Sequence, residues 1–191
     1  LPLYDHWRPM NSRIYLDYCA TTPIHPNARD AMLRVLDVDF GNPSSMHWAG
    51  KDARRVMDQA RMDVADGIGC QPGEIVFTSG ATEADNLALF GILRLFPFNE
   101  AHLITSAIEH HAILHAVRRL ERDGYAVTHL PVNGRGMVNP DDVRKAIRPQ
   151  TKMISIMSVN NEVGSIQPVA EIGKISHEHS VRFHTDAVEA L

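Results

Sequence analysis

The stretch "AHLITSAIEHHAILHAVRRLERDGYAVTHLPV", residues 101–132, decides the fold class. Its ends, "AHLITS" (101–106) and "YAVTHLPV" (125–132), are short, apolar and β-branched, as strands are, while "HAILHAVRRLERDG" between them repeats apolar residues at helical spacing. A strand, a helix and a strand in succession pair in parallel through a right-handed crossover. The same alternation extends outward. "EIVFTS" (74–79), "KMISIMSV" (152–159) and "VRFHTD" (181–186) have strand character, and "TEADNLALFGILRLF", "NPDDVRKAI" and "PVAEIGKISHEHS" have helical character with Thr, Asn or Pro at their starts. The expected class is α/β, a mostly parallel sheet with helices on both faces. Upstream, "NARDAMLRVLDVDF" and "KDARRVMDQARMDVADGI" predict two helices with no strand between them, an N-terminal arm or part of a second lobe over residues 1–70, with the sheet-bearing domain over 71–191. No internal repeat is present.

Composition excludes several classes of function. The chain of 191 residues is 44% hydrophobic, enough for a sizeable core, and its formal net charge of -4 with scattered Lys and Arg offers no basic stripe for nucleic acid. No apolar run reaches the roughly 20 residues that span a bilayer, and "LPLYDHWRPM" at the start lacks the regions of a signal peptide. Cys19 and Cys70 stand far apart in no metal-ligand spacing, which suits a reducing compartment. A cytoplasmic protein with no membrane or nucleic-acid partner is expected.

The strand ends carry the chemistry. In an open parallel sheet, ligands sit beyond the carboxyl ends of strands, where helix N-termini present free N–H groups. "SGAT" follows "EIVFT": Gly80 and Ala81 let a ligand approach the backbone, and the Thr82 hydroxyl with the helix N-terminus favours an anion such as phosphate. "AIEHHA" follows "AHLITS", "NNEVG" follows "KMISIMSV", and "VRFHTD" finishes on Asp186. A flat aromatic cofactor bearing a phosphate and a ring nitrogen uses such groups: a helix N-terminus, an imidazole and a carboxylate. That description fits pyridoxal phosphate.

"IYLDYCATTP" (14–23), "FGNPSSMH" (40–47), "EIVFTSGATEADNLAL" (74–89), "EHHAIL" (109–114), "SVNNEVGSIQPV" (158–169) and "FHTDAVEA" (183–190) occur in the order seen in cysteine desulfurases. The chain thus resembles, from Ile14 to its last residue, the fold-type I pyridoxal-phosphate enzymes of the class V aminotransferase group, and looks closer to the branch serving nitrogenase and iron–sulfur cluster assembly than to the branch handling selenocysteine. The resemblance implies that residues 71–191 form a cofactor-binding large domain, incomplete as it stands, and that 1–70 contributes to a small lobe and a dimer surface. It implies phosphate binding by Gly80, Ala81 and Thr82, stacking on the ring and proton shuttling by His110, and pairing of Asp186 with the ring nitrogen. Asn161 would reach the cofactor's phenolic oxygen or the substrate carboxylate, and Ala20 and Thr21 would line the substrate side. Read singly, Asp186 is a helix cap, His110 with His111 a surface pair and Asn161 a turn residue; their joint order is what turns them toward function. Cys19 and Cys70 read as packed or structural side chains.

Two departures follow from the same resemblance. Glu189 stands where the family has Gln donating to the cofactor's phenolic oxygen, so its carboxyl has to be protonated or turned away. The family's aldimine lysine and sulfur-accepting cysteine lie beyond the position of Leu191, and Lys51, Lys145, Lys152 and Lys174 match no such motif. The expectation is a cradle that is completed elsewhere, with "EIVFTS" and "VRFHTD" as open strand edges. The leading function is sulfur removal from L-cysteine, giving L-alanine and a protein persulfide for a scaffold or other sulfur acceptor, by a homodimer or with a complementing C-terminal polypeptide; the isolated chain is expected to be inactive. Selenocysteine lyase or aminotransferase activity, and a non-catalytic partner-binding remnant, are the alternatives.

Overall fold

The computed structural model describes residues 14–190, so the signal-peptide reading of the first ten residues lies outside the described residues. The chain divides into two compact units, Leu1–Phe77 and Thr78–Leu191, where the sequence reading drew the division after residue 70.

In the first unit, α1 spans Pro26–Asp37 and α2 spans Trp48–Ile68. No residue of α1 is buried, whereas α2 buries Ala49, Gly50, Ala53 and Ala65. The turn "FGNPSS" is packed tightly on the start of α2: a Cβ on Gly41 would lie 2.1 Å from the Ala49 carbonyl oxygen, and one on Gly50 2.3 Å from that of Ser45. Helix α2 stops at Gly69, whose φ of 73° is the left-handed conformation that a helix C-terminus favours. Cys19 is exposed rather than packed, and Cys70 is half-buried.

The segment "EIVFTS" is not a strand. Pro72–Glu74 forms a 3₁₀ turn closed by a capping box between Gln71 and Glu74, which takes up the first residue of the expected strand. The Ile75 carbonyl accepts a hydrogen bond from the Arg61 guanidinium, which also lies 4.9 Å from the centre of the Phe77 ring. A strand exists only where a neighbour takes its backbone groups, and none does so here among the described residues.

The second unit holds α3 (Ala81–Leu93), β1 (His102–Ser106), α4 (His111–Arg122), β2 (Ala126–Leu130), α5 (Pro140–Ala146), β3 (Thr151–Ser155), α6 (Val169–Glu178) and β4 (Arg182–His184). The four strands form one parallel sheet in the order β2-β1-β3-β4. Side chains alternate across it. Leu103 and Met153, partners in register, point with Leu89 and Leu93 of α3 and Ile113, Val117 and Leu120 of α4 into one core; Ile104 and Ile154 point with Val143 of α5 and Ile172 and Ile175 of α6 into the other. Each fully buried Leu or Ile contributes about 2 kcal/mol of transfer free energy, so covering both faces is what stabilises the sheet. Helix α4 shows why the sequence folds this way: Ile113, Ala116, Val117 and Leu120 make one buried stripe at three- and four-residue spacing, and Arg119 on the solvent side holds Asp123 at 2.8 Å. No helix among the described residues is long and apolar enough to cross a membrane.

Candidate functional site

The chain leaves β1 toward β2 on one side and leaves β3 toward β4 on the other, so the strand order reverses between β1 and β3. Loops that part at such a reversal open a crevice at the carboxyl ends of the strands. The two loops here are laced together. Asn160 Nδ2 donates to the Ile108 carbonyl at 2.9 Å, and its Oδ1 accepts from the N–H groups of Glu162 and Val163 at 3.0 and 2.9 Å. The turn closes with the Gly164 N–H on the Asn160 carbonyl at 2.9 Å, at a φ of 68° that glycine adopts without strain. Glu109 accepts from the Met157 N–H at 3.2 and 3.1 Å and from the Ser106 hydroxyl. Between the loops lies a cavity of about 300 Å³ lined by Ile108–His111 and Asn160–Val163.

His110 and Asn161 thus line one cavity. His110 is the N-cap of α4, its Nδ1 accepting from the Ala112 N–H at 3.2 Å, so the neutral ring carries its proton on Nε2. Asn160 takes the structural work of the turn, and among the described residues the Asn161 side chain is bonded only to its neighbour Glu162, at 3.3 Å.

Asp186 stands at the same sheet edge. The Ser158 N–H and hydroxyl both donate to its carbonyl, at 2.8 and 2.9 Å, and its Oδ1 accepts from the Val188 N–H at 3.1 Å, so it does cap the turn that follows it. Asp186 is only 8% exposed, and the carboxyls of two other buried residues feel its charge: Asp85 on α3, 4% exposed, and Glu109, 5% exposed. Burial, then the charge of Asp186, pushes Asp85 up to about 6. Burial pushes Glu109 up to about 7 against the opposing hydrogen bonds from Ser106 and Met157, with Asp186 adding to the rise. Among the described residues His184 is the one basic group within ion-pairing distance of this cluster, its Nε2 3.6 Å from Asp85 Oδ1, and burial holds its protonation below the ordinary imidazole range. Asp85 Oδ2, Thr105 Oγ1 and Thr185 Oγ1 are buried without a hydrogen-bond partner. Three enclosed carboxyls with one weakly basic imidazole favour a cationic, hydrogen-bond-donating ligand such as a protonated pyridine ring, so the residues fit the cofactor that the sequence suggested.

The other expected residues lie apart from that cavity. Thr82 lines a separate groove of about 390 Å³ between α3 and α4, with Asn86, Arg94, His115 and Arg119 among its neighbours. The N-terminus of α3 has no side-chain cap, and a Cβ on Gly80 would meet nothing within 4 Å, so the N–H groups of its first turn, Ala81 among them, are open to an anion. Glu83 folds back onto the Ser79 hydroxyl and N–H at 2.6 and 2.7 Å, bonds that hold its carboxyl below the usual range. Glu189 is half-buried in the turn 188–190. Ala20 and Thr21 are exposed in the other unit, their N–H groups on the Asp17 carbonyl.

Sequence reasoning passed over Asp85, Glu109 and His184. One signal was available for the first: Asp85, Leu89 and Leu93 recur every four residues, placing a carboxylate on the buried stripe of α3.

The family model described as "Aminotransferase class-V" matches residues 14–191. A cysteine desulfurase IscS from Methanosarcina thermophila is 49% identical over 181 residues, covering 95% of this chain and 45% of that protein. A cysteine desulfurase from Homo sapiens is 45% identical over 184 residues, covering 96% and 40%. Among solved structures, "SspA in complex with cysteine" superposes with a TM-score of 0.89 at 41% identity over 92% of this chain and 51% of that one. A "NifS-like protein" superposes at 0.88 with 37% identity over 92% and 48%. The chain spans about half the length of the relatives it matches. It belongs to the class-V aminotransferase family, and the relatives it resembles within that family are cysteine desulfurases.

Proposed function

We propose that the chain provides the cofactor cradle of a pyridoxal-phosphate-dependent cysteine desulfurase, which converts L-cysteine and a protein thiol into L-alanine and a persulfide destined for iron–sulfur cluster assembly in the cytoplasm. The observation that carries this reading is the buried carboxyl cluster around Asp186 beside the His110–Asn161 cavity, at the reversal point of the sheet. Pyridoxal phosphate, when bound, supplies the electron sink for breaking bonds at the substrate's α and β carbons. Asp186 holds a proton at the ring nitrogen. His110 stacks on the ring and moves a proton through Nε2. The first turn of α3, with Gly80, Ala81 and the Thr82 hydroxyl, binds phosphate, and Asn161 orients the phenolic oxygen or the substrate carboxylate. Ala20 and Thr21 line the substrate side. Glu189 acts as a neutral donor or turns away.

The covalent lysine and the sulfur-accepting thiol are, in this reading, supplied by a complementing segment or polypeptide, in a dimer. No lysine lines the cavity: Lys145 pairs with Asp142 at 3.3 Å, Lys152 lies 5.1 Å from the Phe96 ring centre, and Lys51 and Lys174 are exposed. Titrating the chain with pyridoxal phosphate, followed by borohydride reduction and mass spectrometry, tests the cradle. Saturable absorbance changes that weaken in Asp186→Asn and His110→Ala, with no lysine labelled, are expected. Absence of saturable binding, or stoichiometric labelling of Lys51, Lys145, Lys152 or Lys174, overturns the reading. Alanine release from L-cysteine by the complemented unit separates desulfurase from aminotransferase or non-catalytic alternatives.

A further inference from the structure

Behind Asp186 the sheet carries a largely enclosed polar array, its Asp85 side chain 5% exposed and its His184 side chain 16%. His184 and Asp186 are two residues apart on an extended segment, so both face α3, and Phe183, the residue before His184, packs into the core on the opposite face. His184 pairs in register with Ser155 of β3, and Ser155 Oγ is 2.9 Å from His184 Nδ1. The other ring nitrogen, Nε2, is 3.6 Å from Asp85 Oδ1, while Asp85 Oδ2 has no partner. Ser155 is fully buried and Asp85 nearly so. A core that needed only stability would hold apolar side chains here, because a buried carboxyl with an unsatisfied oxygen destabilises the fold.

We propose that Asp85, His184 and Ser155 are positioning residues that set the charge Asp186 presents, with Asp85 adding negative potential behind it and Ser155 fixing the orientation of the His184 imidazole. This rests on the cofactor reading above and deepens it: the array raises the proton affinity of the ring nitrogen that Asp186 faces. The titratable groups around Asp186 are Asp85 from α3, Glu109 from the loop after β1, and His184 from β4. Glu109 is held by its own bonds to Ser106 and Met157, whereas Asp85 has its ion-pairing contact with His184 Nε2 at 3.6 Å and an unpartnered Oδ2. Asp85 is therefore the member whose charge is free to act.

The test compares parent, Asp85→Asn, Asp85→Glu and Ser155→Ala chains in thermal unfolding and in pyridoxal phosphate titrations read by absorbance across pH. In Asp85→Asn the apparent pKa of the bound chromophore is expected to fall by about one unit and affinity at neutral pH by roughly tenfold, the factor one pKa unit carries. The same substitution removes a buried charge, so the fold is expected to be at least as stable as the parent. Asp85→Glu is expected to restore part of the chromophore pKa, and Ser155→Ala to lower it by less than Asp85→Asn. A structural role alone would lower the unfolding temperature and leave the chromophore pKa of the bound fraction unchanged; that result overturns the proposal while the cofactor reading stands. A parent chain that binds no cofactor overturns both.

Discussion

Glu109→Gln separates the electrostatic account of the sheet edge from a purely steric one. Glu109 is enclosed, and its carboxyl is raised from an ordinary 4.5 to about 7. A raised carboxyl binds its proton more tightly in the folded than in the unfolded chain, so stability is greatest below 4.5 and is lost as pH rises through the window from 4.5 to about 7. At about 1.4 kcal/mol per pKa unit, the ionised group costs the folded state about 3 kcal/mol above that window, of which about 2.5 kcal/mol falls between pH 5 and pH 8. Glutamine keeps one oxygen for the Met157 N–H and the Ser106 hydroxyl, losing one arm of a shared hydrogen bond, about 1 kcal/mol at either pH. The variant is therefore expected to be near the parent in stability at pH 5 and about 2 kcal/mol more stable at pH 8. Urea unfolding at both pH values measures this, with a midpoint advantage of about 1 M at pH 8 for a slope near 2 kcal/mol per M. Asp85 and His102 titrate in both proteins and cancel in the difference. An equal stability difference at the two pH values would refute the argument, because it would mean that Glu109 carries no buried charge.

His102 runs in the opposite direction. It is fully buried between the Thr151 and Thr128 hydroxyls, at 2.8 and 2.9 Å, and burial lowers it from 6.5 to about 4, so stability is expected to fall as pH drops through that window and His102→Gln to flatten this acid limb in thermal melts. Asn160→Ala removes one bond to Ile108 and two from the 162–163 N–H groups; a loss of about 2 kcal/mol and faster hydrogen exchange at Glu162 and Val163 are expected. Leu89→Ala, at a fully buried position between α3 and α4, is expected to cost about 3 kcal/mol in urea unfolding with cofactor contacts untouched.

The alternation of strand and helix was legible from residue order because it is a local property. Periods of two and of 3.6 residues are written in segments such as "AHLITS" and "HAILHAVRRL", and caps such as Asn139 before Pro140 act within one turn. The positions of His110, Asn161 and Asp186 just past strand ends were legible for the same reason, since each lies within a few residues of the element that carries it. "EIVFTS" was misread because strand formation is not local: the segment has strand composition, but Arg61 takes the Ile75 carbonyl, a capping box takes Glu74, and among the described residues no strand pairs with it. The order β2-β1-β3-β4, with its reversal between β1 and β3, could not be read from periodicity, and it is this order that brings Asn160 to Ile108 and Glu109 to Met157. The same holds for the array behind Asp186. Asp85, Ser155 and His184 come from three elements separated by long stretches of chain, and a carboxylate, a hydroxyl and an imidazole each look like solvated side chains until the packing of α3 on the sheet buries the first two and leaves the third largely enclosed.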